Sequence, residues 1–275
     1  MLRKLMKHEL RATGRVMGPM LLYTLLTAVG GNIAVHNLVD GESAILNMLG
    51  VFLLIAFAGA LGASVIVAFV LMIQRFYKNL LRDEGYLMMT LPVTVHAHVL
   101  SKLLVSLIWS AATAVTVVLA MAILMFELNA VDMFIYELSE IFSQLRFSDL
   151  MMADYLGHAA LMLVEGIALA MAAEACLCLQ LYAAMAAGHS FTHHKGLLSV
   201  AAWFVFSAAW SALQNGALYL LGRIAPDGIR LWMEGVSPFA EMHLTMLAMI
   251  AALLIPVAIW YAMTTYFLKN RLNLG

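Results

Sequence analysis

Apolar residues in this chain gather in long unbroken runs, and the polar residues are crowded into the short stretches between them. Six runs reach the roughly 20 residues that a helix needs to cross a bilayer: Val16–Val35, Ala44–Ile73, Leu103–Phe126, Tyr155–Ala187, Leu197–Leu221 and Leu244–Leu268. At about 1.5 Å of rise per residue, the second and fourth are longer than a hydrocarbon core of roughly 30 Å, so they are expected to tilt or to project beyond it. Two amphipathic stretches lie outside the runs. Residues 1–15 place Leu2, Leu5, Met6 and Leu10 at helical spacing, with Arg3, Lys4, Lys7 and Arg11 around the remainder. That is the pattern of a helix lying in the membrane interface against anionic lipid. The second stretch places Val131, Phe134, Ile135, Leu138, Ile141, Phe142 and Leu145 opposite Asp132, Glu137, Glu140 and Gln144. It either caps one mouth of the bundle or lies on the lipid. No internal repeat or low-complexity tract interrupts the chain, so a single all-α transmembrane domain over residues 1–275 is the economical reading.

Composition sharpens the class. Hydrophobic residues make up 64% and charged residues 11%, against roughly 45–50% and 25% in a soluble domain, which excludes an ordinary soluble fold. The formal net charge of −1 gives no reason to expect nucleic acid. The placement of charge says more. Alternate connecting segments carry twelve Lys and Arg on one side, and three, Arg146, Arg223 and Arg230, on the other. Cytoplasmic loops retain positive charge, so both termini are expected inside a multi-pass protein of the cell membrane. The first run is longer than the apolar region of a signal peptide and is expected to be retained. The two cysteines, Cys176 and Cys178, sit in one run and face different sides of a helix, as packing residues rather than a disulfide.

The most informative polar stretch is Gln74–Lys102, QRFYKNLLRDEGYLMMTLPVTVHAHVLSK. Arg75–Arg82 is expected to continue the preceding helix, Gly85 to end it in a left-handed cap, and Pro92 to keep the backbone from resuming it. Together they form a turned element presenting Asp83, Glu84, Tyr86, Leu87 and Met88. Four stretches carry a likeness to a known family: LRKLMKHELRATGRVM, RFYKNLLRDEGYLMMTLPV followed by SKLL, GHSFTHHKG, and the ending YFLKNRLNLG. On these the whole chain resembles the type-2 ABC exporter permeases of bacteria, particularly the short forms of Gram-positive organisms.

The resemblance implies that Tyr77 to Leu91 form a coupling helix in the groove of a separate ATP-binding subunit. In that picture Tyr77, Arg82, Asp83, Glu84, Gly85, Tyr86, Leu87 and Pro92 form or frame the contact. His189–Gly196, with His193 and Lys195, would be a second contact, residues 1–15 an elbow helix, and Arg223–His243 short re-entrant helices. It also implies a second permease, identical or homologous, and ATP with magnesium held by the partner subunit.

Other readings compete with these at individual residues. Asp83 and Glu84 either dock on basic residues or are solvated loop charges, and Tyr86 and Leu87 either anchor an interface or lie on lipid headgroups. Glu165 and Glu174 are the acidic residues within spans, where ionisable groups are costly. Nine residues apart, they face opposite sides of the helix, whereas His158 and Glu165 share a face about 10.5 Å apart along the axis. Each of the three either lines a translocation path or packs against a polar neighbour. His189, His193 and His194 have ligand-like spacing but no accompanying carboxylate, so a contact loop between Gly188 and Gly196 is favoured over a metal site. No GxxxxGK[ST] order occurs, and no catalytic residue, cofactor or metal is expected on this chain. The rival classes are an intramembrane enzyme using Glu165, Glu174 and His158, and a membrane sensor or scaffold.

Overall fold

The computed structural model describes residues 2–39, 43–82, 85, 93–126, 149–224 and 237–271, with only the backbone given for 149–155, 218, 221 and 224. Six long helices occupy them: α1 (Leu2–Ile33), α2 (Ala44–Phe76), α3 (Val95–Met125), α4 (Asp149–Gly188), α5 (Lys195–Ile224) and α6 (Pro238–Asn270). Two π-helical turns, Ala34–Leu38 and Tyr77–Leu81, extend α1 and α2, and there is no strand among the described residues. Each apolar run expected to span falls on one helix to within two residues at its end, and all six helices are long and apolar enough to cross a membrane. In their most apolar stretches only 6% to 22% of residues are buried. The remaining apolar surface needs lipid, or another protein, to cover it.

Several boundaries differ from the sequence reading. Residues 1–15 do not form an element of their own, because α1 runs unbroken from Leu2 through Pro19 to Ile33. Its buried face is Glu9, Thr13 and Met17, one residue every turn, while Leu2, Leu5, Met6 and Leu10 are only half-buried. Helix α3 begins at Val95 rather than Leu103, since the Thr94 carbonyl accepts from the amides of Ala97 and His98, and its Oγ1 accepts from Ala97 at 3.4 Å. Helix α6 begins at Pro238, with Ser237 as N-cap accepting from Ala240 at 3.3 Å and the proline at the first helical position. Residues 238–243, part of the stretch expected to be re-entrant, are therefore the regular first turns of α6. The expected re-entrant segment otherwise falls on 225–236, outside the described residues, as does the amphipathic stretch 131–145.

The chain divides into two compact units. One contains Arg3–Met72 and Leu104–Leu156, and so α1 from Arg3, α2 up to Met72 and α3 from Leu104. Its core is Ala28, Phe57 and Ala120, with Leu25, Leu61, Ile123 and Leu124 packed around them. Thr24 Oγ1 donates to Met20 O at 3.0 Å and reaches Ala60 O at 3.5 Å, so α1 and α2 approach closely. Trp109 Nε1 donates to Thr13 Oγ1 at 2.7 Å, and Asn32 Nδ2 donates to the carbonyls of Leu124 (3.2 Å) and Phe126 (2.6 Å). These contacts set α3 parallel to α1 and satisfy carbonyls at the end of α3 that would otherwise lack partners.

The other unit holds Ile73–Leu103 and everything from Gly157 onward. Helices α4 and α6 run parallel, touching at His158 and His243 and again where Thr264 Oγ1 meets Leu179 O at 3.5 Å. Helix α5 returns antiparallel, with Gln180 Nε2 donating to Ser207 Oγ at 2.8 Å. The rings of Phe206 and Trp210 lie 5.4 and 6.4 Å from that of Trp260 on α6.

Candidate functional site

The residues singled out for chemistry form two assemblies within the second unit and one patch in the first. The first assembly lies where α2 ends. Phe76, its last α-helical residue, stacks on Tyr182 of α4 with ring centroids 4.0 Å apart and planes 8° from parallel, and both rings are fully buried. The helix then widens into the π turn. The next ring, Tyr77, meets His189 edge to face at 5.4 Å, and the Arg82 guanidinium lies 5.2 Å from the Tyr77 centroid as a cation–π contact. Asn79, Leu80 and Leu81 are buried. Arg82 is extended, with φ −110° and ψ −162°, so the helix stops there and not at Gly85, whose amide donates to the Arg82 carbonyl at 2.6 Å. No glycine among the described residues has positive φ, so the expected left-handed cap does not form.

His189 sits just past α4, almost completely buried. Burial holds its pKa below the usual histidine value, with the nearby Lys195 charge acting in the same direction and the backbone hydrogen bond to Met185 opposing both. The neutral ring donates from Nδ1 to Met185 O at 2.8 Å, while Ser199 Oγ donates to Lys195 O at 2.9 Å and lies 3.4 Å from the same nitrogen. Gly188 makes this approach possible, because a Cβ there would overlap the backbone of Ser199. The turn into α5 is made by His194 at φ 54°, an uncommon conformation for a non-glycine, and its carbonyl accepts from Leu198. His193 and His194 are exposed while His189 is buried, so the three histidines do not converge. Among the described residues no cluster of His, Cys, Asp or Glu is placed to hold a metal ion. Asp83, Glu84, Tyr86, Leu87 and Pro92 lie outside the described residues.

The second assembly is a chain of three ionisable side chains between α4 and α6. Glu165 Oε2 lies 2.8 Å from Nδ1 of His243, and Nε2 of His243 lies 3.0 Å from Nδ1 of His158. The His158 ring lies flat on Phe239, 4.5 Å between centroids and 2° from parallel. The sequence puts His158 and Glu165 on one face but leaves out the residue that joins them, because the last apolar run begins at Leu244, one position beyond His243. Its signal was a histidine at helical spacing from Phe239, legible only once Pro238 is taken as a helix start. Glu174 is apart from this chain, and its Oε1 accepts from Cys178 Sγ at 3.7 Å.

In the first unit Lys4, Lys7, His8 and Arg11 line a concavity of about 220 Å³ on α1, with Arg3 exposed beside it. This basic face is opposite the buried Glu9, Thr13 and Met17. Comparison with protein-family models, curated proteins and solved structures returns no match. The class therefore rests on the helices themselves: six of them, long and apolar enough to cross a bilayer, make this a multi-pass membrane protein.

Proposed function

We propose that the chain is the membrane-embedded permease subunit of an ATP-driven exporter of the ABC type, moving substrate across the cell membrane with ATP hydrolysed by a separate cytoplasmic subunit. The observation that carries this reading is the ring contact between Tyr77 and His189. It joins the starts of the two polar stretches, 77–91 and 189–196, that the family resemblance assigns to the ATPase. A motion imposed on one is then felt at the other. In this reading both termini are cytoplasmic, Arg3, Lys4, Lys7 and Arg11 hold the start of the unbroken α1 to anionic lipid, and two permeases pair around the substrate path. His158, Glu165 and Glu174 are the ionisable groups nearest such a path. ATP and magnesium belong to the partner, whose closure switches the paired permeases between inward- and outward-facing states.

Purification from the native membrane, followed by identification of bound proteins, tests the reading directly. An ATP-binding subunit should co-purify, and Glu84→Lys and Tyr86→Ala should reduce its retention severalfold while the permease still accumulates. Glu137→Lys should leave retention unchanged. A chain that hydrolyses ATP with every other protein removed, or that keeps its partner equally well in both variants, overturns the assignment.

A further inference from the structure

We infer that Glu165, His243 and His158 form a proton-binding relay within the membrane, taking up a proton at His158 and delivering one to Glu165. This goes beyond the permease reading and depends only on the chain spanning a bilayer. Geometry points to a relay rather than to inert polar packing. His243 uses both ring nitrogens, Nδ1 toward the carboxylate at 2.8 Å and Nε2 toward His158 at 3.0 Å, so the three groups stand in series. Glu165 and His243 are nearly buried, at 9% and 12% side-chain exposure, whereas His158 is half-buried toward the start of α4.

The chain supports two protonation patterns with the same two hydrogen bonds. In one, Glu165 is an anion accepting from His243 Nδ1–H, and His243 Nε2 accepts from His158 Nδ1–H. When a proton from water binds Nε2 of His158, that ring passes its Nδ1 proton to His243 Nε2. His243 in turn passes its Nδ1 proton to Glu165. Glu165 ends as a neutral acid donating to His243, and His243 donates to His158. One proton has entered, one carboxylate charge has disappeared, and both histidines are again neutral. An intramembrane carboxylate is costly to keep charged, and this arrangement neutralises it without leaving a polar atom unpaired.

Other described charged groups do not interpose. Glu241 on α6, two positions before His243, is exposed and turned about 200° around the helix from it. Glu174 on α4 faces away from Glu165, and Arg223 at the end of α5 lies 5.9 Å from the Tyr219 ring. The flat stack of Phe239 on His158 restrains rotation of that ring, whose plane is tilted 31° from that of His243 with centroids 5.2 Å apart.

The test uses the full chain alone in lipid nanodiscs, so it is independent of any ATPase. Infrared spectra recorded after a downward pH jump should show a protonated-carboxyl band that is absent in Glu165→Gln. In His158→Phe and His243→Phe the band should form at least tenfold more slowly than in the wild type, with thermal melting as the check of folding. If His243→Phe does not fold, His158→Phe, which keeps an aromatic ring against Phe239, decides alone. Nitrogen-15 spectra of labelled histidine should show His158 and His243 exchanging the protonated nitrogen over one common pH interval. A band that persists in Glu165→Gln, a wild-type rate in His158→Phe, or histidines that titrate independently each overturns the relay.

Discussion

From Cys178 to Gly188, helix α4 is enclosed by Phe76, Ser199 and the start of α5, with Tyr182 through His189 continuously buried. From Leu156 to Ala173 the same helix presents Leu161, Leu163, Val164 and Ile167 outward, and the three-group polar chain is its described tie to α6. In a bilayer, apolar side chains gain little by leaving lipid, so association depends on close packing of small residues and on interhelical hydrogen bonds. The Gly188 end uses the first and the Glu165 end the second. Closeness sets how strongly a helix is held, while the polar chain sets where it is held and remains free to change its charge.

The largest effect is expected at Gly188. Gly188→Leu should prevent α4 and α5 from meeting at Ser199, with loss of the folded, detergent-stable protein in size-exclusion and melting assays; normal accumulation would mean the close approach is dispensable. Tyr182→Ala removes a fully buried ring stacked on Phe76 and should cost about 3 kcal/mol, read as a lowered melting temperature. Glu165→Gln keeps the shape of the chain and an acceptor, so its equilibrium effect should be only about 0.6 kcal/mol, typical of a hydrogen bond between membrane helices. A fall as large as that of Tyr182→Ala would reverse the ranking of the two ends.

A smaller effect comes from acid. Burial disfavours the charged form of His189, so the unfolded chain binds the extra proton more readily and stability falls as pH drops below the ordinary value of 6.5. Melting curves across that interval should show a decline in the wild type that is reduced in His189→Gln. Smallest of all is Leu163→Ala. Leu163 is 66% exposed, and its truncation toward lipid should leave the melting temperature nearly unchanged.

The spans were legible because crossing a bilayer demands only length and apolarity, which no tertiary contact has to supply. Helix ends were less legible. Thr94 and Ser237 cap helices that begin before the long apolar runs do, and His96, His98, Ser101 and Lys102 read as loop although α3 contains them and the last three are buried. The site was legible only in part. Spacing placed His158 with Glu165, but nothing local to α4 could name His243, and nothing near Tyr77 announced that its ring would meet His189. Ring contacts between distant segments are settled by packing, and the sequence pattern carries only the faces on which they can occur.

Helix α4 spans forty residues with no proline, about 60 Å at the usual rise and roughly twice the hydrocarbon thickness. An uninterrupted ladder of backbone hydrogen bonds resists twisting, so the helix behaves as a shaft. His158 and Glu165 sit along one part of it and Tyr182 along another. Glu165 and Tyr182 are seventeen positions apart, about 26 Å along the axis, so one continuous helix carries both the polar chain and the ring stack on Phe76.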